Sequence, residues 1–522
     1  MDDEKIFRLA KPKKKGLLPI IFSRFLIILI LLIVQIIMIV TVYGWLHEYL
    51  SFFSGFMTAF TLLMIIYLFN CDMDEAAKLS WMFMIALFPL PAAGFLLFTQ
   101  KNIIHTKLKK RVKELIENTK DTLLQNDDVI SKLNEDDPSI TAMANYLNRS
   151  GCFPIFNNTE VTYFPSGEDK FEAMLAELKK AKTYIFMEYF IIEEGYMWGK
   201  ILEVLAEKVR AGVDVRIIYD GMCEVTLLPF DYPERLAKLG IKAKAFSPIM
   251  PVMSSHYNYR DHRKILVIDG KVAFNGGVNI ADEYINRIEK YGHWKDTAVM
   301  LQGEAAKSFA LMFLQMWNVD EKKPVFLPYL DSNVYYPEKS SGYVMPFAYC
   351  PLEEEKTGKI VYMDILNRAN SYVHIMTPYL ILDGELLTVL KYAAQRGVDV
   401  KLILPGIPDK KAPFSLAKSH YQSLVDAGVK IYEYTPGFIH AKVFVSDDVK
   451  AVVGTINLDY RSLYHNFECA TFLYKTKCIE KIEQDFQDTL LKCRMVTEKS
   501  IKKEKLIYKL LGSVLKFIAP LM

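Results

Sequence analysis

Apolar and polar positions follow two regimes along this chain. Up to about residue 100 the apolar positions form long uncharged blocks, and beyond residue 150 they form short runs between polar segments. Phe25 to Tyr43 is nineteen residues without a charge, Ser51 to Phe69 is a second such block, and Leu79 to Phe98 is a third, interrupted by Pro89 and Pro91. A helix that crosses a bilayer needs roughly twenty apolar residues, so the first two blocks predict spans. The third has the length, but its prolines and Gly94 predict a kinked or re-entrant segment that does not cross. A cleaved signal peptide does not account for the first block. It is long for such a segment, a second block follows at once, and no small-x-small site lies near Tyr43.

Beyond residue 150 short β-prone runs alternate with helical patterns, which predicts an α/β layer structure. The pattern occurs twice. The strand-like run after Ala181 returns after Ala369. Arg210-Ala-Gly-Val-Asp-Val-Arg-Ile-Ile is matched by Gln395-Arg-Gly-Val-Asp-Val-Lys-Leu-Ile, and Leu239-Gly-Ile-Lys by Ala427-Gly-Val-Lys. In each copy Gly212 or Gly397 ends a helix and a β-branched strand begins.

Each copy closes on the same group of polar residues. His262-Arg-Lys264 followed by Asp269 is matched by His440-Ala-Lys442 followed by Asp447. The spacing then holds through Gly276 and Asn279 in one copy, and Gly454 and Asn457 in the other. On a strand, residues two apart share a face, so each copy offers an imidazole beside an ammonium. Two copies meeting at a seam would gather two of each. That set suits a phosphodiester: lysines and asparagines can neutralise phosphate oxygens, one histidine can attack phosphorus, and the other can carry the leaving-group proton. Each histidine needs an acid to fix its tautomer, and Asp296 and Glu468 follow the two motifs. Asp269 and Asp447 close their strands, where they are expected to hold backbone or lysine groups. The histidines lack metal-ligand spacing, so neither a metal nor another cofactor is expected.

Composition changes the picture in three places. Apolar residues make up 51% and mean hydropathy is +0.11, an excess that the N-terminal blocks explain. The net charge of +3 gives no global basic field for nucleic acid. The seven cysteines form no Cys-x-x-Cys pair and fit reduced thiols rather than a disulfide framework. Lysines flank the first block on one side (Lys11, Lys13, Lys14, Lys15) and the third on the other (Lys101, Lys107, Lys109, Lys110). Both flanks favour the cytoplasm, which predicts two full spans with the N-terminus and the repeats on the cytoplasmic side. From Lys502 to Met522, Leu506, Leu510, Val514, Phe517 and Leu521 recur at helical spacing among lysines. That pattern reads equally as an interfacial helix and as one packing on the enzyme.

The paired motifs resemble the phospholipase D superfamily. Asp261-His-Arg-Lys-Ile, Phe274-Asn-Gly-Gly-Val-Asn-Ile-Ala-Asp-Glu-Tyr284, Thr377-Pro-Tyr379, Val453-Gly-Thr-Ile-Asn-Leu-Asp-Tyr-Arg-Ser462 and Asn466-Phe-Glu468 are similar to the bacterial cardiolipin synthases within it. The chain departs from that family at Asp261, where asparagine is expected, and over Tyr343 to Glu355. The resemblance implies N-terminal transmembrane helices followed by two pseudo-twofold phospholipase D-like repeats, each a mixed sheet flanked by helices. It divides the chain into a basic cytoplasmic tail (1–24), a membrane anchor (25–100), a basic amphipathic linker (101–150), repeat one (151–335), repeat two (336–492) and a basic amphipathic tail (493–522). It implies a multi-pass cell-membrane enzyme that joins two phosphatidylglycerol molecules into cardiolipin and releases glycerol. The catalytic residues it carries over are His262, Lys264, Asp269, His440, Lys442 and Asp447, supported by Asn279, Asn457, Asp296 and Glu468. It places the nucleophile in the first motif, whereas spacing alone leaves that open. The motifs themselves also admit hydrolysis, or a different donor or acceptor lipid.

Overall fold

The structure is a computed structural model. It describes residues 7–10, 33, 36–37, 40–41, 50–100, 103–246, 259–331, 337, 339–353, 355–504 and 506–521. The span expected over Phe25 to Tyr43 lies largely outside the described residues. The second block forms the helix Leu50–Phe69, twenty residues with no charge. At 1.5 Å per residue it is about 30 Å long, the thickness of a hydrocarbon core. Its outward face is bare: Phe52, Leu63 and Phe69 are all exposed.

The third block breaks where its prolines predict. Asp74 caps the helix Glu75–Leu87, Phe88 leaves the helical region, and the helix Pro89–Gln100 follows. Pro89 forces that break because its ring excludes the helical conformation for Phe88. The two pieces are about 20 and 18 Å long, too short to cross. Among the described residues, therefore, one helix has the length and composition of a span. The multi-pass anchor of the sequence reading is corrected to that one helix within the described residues.

The segment read as a basic amphipathic linker is helical. Residues 101–150 contain the helices Ile103–Thr119, Asp127–Asp136 and Pro138–Gly151. Their apolar faces (Val112, Leu133, Met143, Leu147) join the catalytic core, so they are folded onto it rather than strung between domains.

Two mixed sheets with matching strand order follow. The first comprises β1 (Thr159–Phe164), β2 (Tyr184–Tyr189), β3 (Asp214–Asp220), β4 (Lys242–Phe246), β6 (Lys264–Ile268), β7 (Val272–Gly276) and β9 (Ala298–Gly303), ordered β1-β9-β7-β6-β2-β3-β4. Two short strands, β5 (Arg260–Asp261) and β8 (His293–Lys295), stand outside it. The second comprises β10 (Tyr343–Tyr349), β11 (Tyr372–Met376), β12 (Asp399–Pro405), β13 (Lys430–Tyr434), β15 (Val443–Ser446), β16 (Lys450–Gly454), β17 (Asn466–Tyr474) and β18 (Cys493–Met495). Its order is β10-β17-β16-β15-β11-β12-β13-β18, and β14 (Gly437–Ile439) stands apart. The two orders coincide strand for strand, apart from β18 at one edge. Tyr343 to Tyr349, within the stretch where the sequence departs from the resemblance, still supplies the edge strand equivalent to β1. Its register on β17 runs from Tyr343 opposite Tyr474 to Tyr349 opposite Glu468.

Between the sheets lies the helix Ala306–Trp317, of which every residue but Lys307 is buried. An amphipathic helix on a surface leaves one face wet. This one packs against β2, β6, β7 and β9 of one half and β10 of the other, so it is buried nearly all round and predominantly apolar.

Candidate active site

β6 is Lys-Ile-Leu-Val-Ile and β15 is Val-Phe-Val-Ser, and every residue of both is buried. Each is a central strand, and the motif polar groups stand at its entrance. His262 sits between β5 and β6, and His440 between β14 and β15. Neither histidine lies within a regular strand, although the sequence pattern suggested a shared strand face with the lysine.

The two short strands explain how the halves interlock. β5 pairs in parallel with β17 of the other half, which sets Asp261 opposite Phe467. β14 pairs in parallel with β8, which sets Ile439 opposite Lys295. One residue further on, each register delivers a histidine to a carboxylate. The His262 amide donates to the Phe467 carbonyl at 2.9 Å, and the His440 amide donates to the Lys295 carbonyl at 2.7 Å. His262 Nδ1 lies 3.0 Å from Glu468 Oε2, and His440 Nδ1 lies 2.7 Å from Asp296 Oδ2. The acids are exchanged: each half orients the other half's histidine. With Nδ1 engaged, Nε2 is the ring nitrogen left for chemistry.

Both acids are held in turn. Thr455 donates its hydroxyl to Glu468 Oε2, and Asn466 Nδ2 donates to Oε1 at 3.2 Å. Asp296 Oδ1 accepts the Thr297 amide at 2.8 Å. A Cβ at Gly277 would stand 2.1 Å from Asp296 Oδ1, so this position has room for the carboxylate only because it is glycine. Aromatic rings complete the walls. Phe190 meets His262 edge-on at 5.1 Å, and Trp294 and Tyr284 each lie 5.4 Å from the His440 ring.

Burial sets the electrostatics. It lowers His262 to about 4, against the pull of Glu468 and with the push of Lys264. Burial and Lys442 lower His440 to about 3. Both rings are therefore neutral near pH 7. Lys264 falls to about 8 and Lys442 to about 7, again chiefly through burial, with Lys264 also repelling Lys442. Lys442 depresses His262 and Lys264 depresses His440, so all four groups share one site. Burial raises Glu468, but His262, Lys264 and Thr455 outweigh it, and the carboxylate sits below its ordinary value. The site thus holds closely spaced cations at a cost that an anion would relieve.

The remaining sequence-predicted residues divide. Asp269 and Asp447 lie at the far ends of β6 and β15, away from the histidines. Asp269 adopts φ +53° and accepts the amides of Lys182, Thr183 and Tyr184. Asp447 adopts φ +54° and accepts those of Asn370, Ser371 and Tyr372. Each pins a turn to the loop before the neighbouring strand. Asn279 is committed to Ile191 N at 3.1 Å and to the Tyr284 hydroxyl at 2.7 Å. Asn457, by contrast, keeps a buried Oδ1 without a hydrogen-bond partner among the described residues. Thr455 and Gly277 were missed in the sequence, although both lie inside the matched stretches between glycine and asparagine. Also missed was a buried charge cluster behind the first motif, where Arg263 lies 3.7 Å from the fully buried Glu188, beside Asp261. Among the described residues no group of histidine, cysteine or acidic side chains could hold a metal ion.

Known proteins share this organisation. The family model described as cardiolipin synthase, phospholipase D-like domain, matches residues 174–317 and 362–490. An uncharacterized protein of Streptococcus mutans serotype c is 56% identical over 88% of this chain and 99% of its own length. Cardiolipin synthase 2 of Bacillus anthracis is 34% identical over 89% of this chain and 90% of its own. Cardiolipin synthase of Geobacillus kaustophilus is 32% identical over 92% and 95%. Among solved structures, phosphatidylserine synthase of Haemophilus influenzae Rd KW20 shares the fold, with a TM-score of 0.55 at 15% identity over 73% of this chain and 98% of that one. By its paired repeats and these relatives, the chain belongs to the phospholipase D-like cardiolipin synthase family.

Proposed function

We propose that this protein is a cardiolipin synthase, transferring a phosphatidyl group from one phosphatidylglycerol to a second and releasing glycerol. The observation that carries the reading is the exchanged pair of neutral, carboxylate-held histidines beside two buried lysines. The named relatives supply the lipid class.

In this reading His262 Nε2 attacks the donor phosphorus. The bond from phosphorus to the glycerol oxygen breaks, and His440, which takes up a proton at Nε2 when the phosphate binds, gives that oxygen its proton. The hydroxyl of a second phosphatidylglycerol then loses its proton to His440 and attacks phosphorus, and the phosphorus–nitrogen bond to His262 breaks. Lys264 and Lys442 hold the phosphate oxygens, with Asn457 beside them. A bound phosphate anion offsets the lysine charges that hold His440 down, so substrate binding raises the proton affinity of the group that must act as acid. Family resemblance, not geometry, assigns the nucleophile to the first motif.

Membrane attachment fits the reading. The helix Leu50–Phe69 serves as a membrane anchor, with the repeats on the cytoplasmic side where the basic flanks lie. A site fixed at the bilayer meets a lipid hydroxyl more often than a site in bulk water does.

Mass spectrometry of products from purified enzyme and defined lipids tests the function. Cardiolipin and glycerol are expected from phosphatidylglycerol alone. Phosphatidic acid as sole lipid product would instead show hydrolysis, and a requirement for another lipid would reassign donor or acceptor. Acid-quenched peptide mapping tests the roles: the phosphatidyl adduct is expected on His262, and an adduct only on His440 reverses them.

A further inference from the structure

The C-terminal helix Leu506–Ile518 has two faces, and both are legible. Its inner face is bound to the protein. A Cβ at Gly512 would stand 2.6 Å from the Ser415 carbonyl oxygen and 3.3 Å from the Ser419 side chain, so the helix crosses the helix Lys411–Val425 at close range. At its far end Leu515 and Ala519 pack with Leu416 and Tyr460, and Tyr460 stands three residues after Asn457 in the active-site loop. The same end meets the membrane block. Ser80 donates to the Phe517 carbonyl at 2.6 Å, and the Phe83 and Phe517 rings meet edge to face at 4.7 Å.

Among the described residues, nothing covers the outer face. Leu510 and Val514, one turn apart, are each 60% exposed, and Leu511 is exposed beside them. Lys516 is exposed on the same helix. The helix Glu75–Leu87 continues this apolar surface with Leu79, Phe83 and Leu87, spaced four apart and all exposed. That helix follows the span-length helix after only a short turn, Asn70 to Asp74, which fixes it near one end of the span. An apolar stripe with cationic flanks, continuous with a membrane helix, matches the water–hydrocarbon boundary of a bilayer containing anionic lipid.

We propose that the C-terminal helix lies in the membrane interface, with Leu510 and Val514 in lipid, and that it seats the active-site mouth on the bilayer through Leu515, Ala519 and Tyr460. It acts as a strap between the second repeat and the anchor, and its partner is the lipid surface itself.

The test uses the full chain in vesicles of phosphatidylglycerol and phosphatidylcholine. Benzoylphenylalanine replaces Val514 or Leu510, or Tyr392 as a control, since Tyr392 is 53% exposed on a helix away from the strap. After illumination, lipid adducts are expected at 514 and 510 and not at 392. Equal labelling at all three sites overturns the proposal, as does crosslinking of 514 to a second copy of the chain. A second arm uses Leu510→Asp with Val514→Asp, which leave the inner face intact. Turnover of bilayer phosphatidylglycerol is expected to fall at least about tenfold, while turnover of a monomeric short-chain phosphatidylglycerol holds. Equal loss on both substrates overturns the proposal. This arm alone rests on the proposed reaction: if the parent enzyme made no cardiolipin, that reading would fail and the crosslinking arm would still decide the strap.

Discussion

His262 and Glu468 stand opposite each other across a strand pairing between the two halves, 206 residues apart in sequence and 3.0 Å apart at the ring nitrogen. His440 and Asp296 make the equivalent contact with the halves exchanged. Two amide-to-carbonyl bonds fix that register, so the contacts follow from backbone geometry and not from side-chain reach.

Removing one acid therefore harms the histidine of the other repeat. Glu468→Gln keeps the shape but loses the charge that orients His262, and rapid-quench experiments are expected to show phosphatidyl-enzyme formation slowed by about 10²–10⁴-fold. Asp296→Asn is expected to act on the proton carrier, slowing glycerol release and adduct breakdown. If Glu468→Gln impaired only the His440 steps, the exchanged pairing would be wrong.

Gly277→Ala is a sharper probe because it changes no polar group. The added methyl would meet the Asp296 carboxylate 2.1 Å away, and the acid must leave its place behind His440. Turnover is expected to drop towards that of Asp296→Asn, with the circular-dichroism spectrum unchanged. Wild-type turnover in the alanine variant would mean that Asp296 does not need this position.

Anion binding should weaken at moderately alkaline pH. Folding lowers Lys264 to about 8 and Lys442 to about 7 from an ordinary 10.5, chiefly through burial. The protonated form binds the anion, so affinity is present below these values and is lost as pH rises through them. Competition by inorganic sulfate, which does not titrate in this range, is expected to weaken by up to about tenfold per pH unit per lysine. Constant inhibition up to pH 10 would show that the lysines behave as solvated ones.

Asp269→Ala is expected to cost about 1–3 kcal/mol, because three amides lose their acceptor and alanine tolerates the left-handed backbone poorly. Denaturant unfolding in detergent measures the loss. Turnover per folded molecule should stay within about threefold. A large fall in turnover at unchanged stability would move Asp269 into the chemistry.

Chelator treatment should leave turnover intact, since in the proposed reading Lys264 and Lys442 supply the charges that meet the phosphate. Complete loss, restored by one divalent ion, would reveal a ligand set outside the residues described.

Much of this arrangement is legible in the chain. The matched spacings from His262 to Asn279 and from His440 to Asn457 mark equivalent positions, and the prolines of the third apolar block mark its break. The exchange of Asp296 and Glu468 is not legible, because it depends on which short strand finds which partner. These are contacts between segments 206 and 144 residues apart, and no local preference encodes them. Asn279 shows the same limit in reverse: its spacing matches Asn457, yet Tyr284 and the Ile191 amide occupy it.

The exchanged strands also impose an order on synthesis. A growing chain exposes its anchor first and His262 next, while the segment that will become β17 is still untranslated. Until Glu468 emerges, the imidazole has no carboxylate behind it, and His440 and its lysine arrive only shortly before. A nascent or prematurely terminated chain thus carries half a site. In the proposed reading, phosphatidyl transfer switches on only with the last stretch of translation.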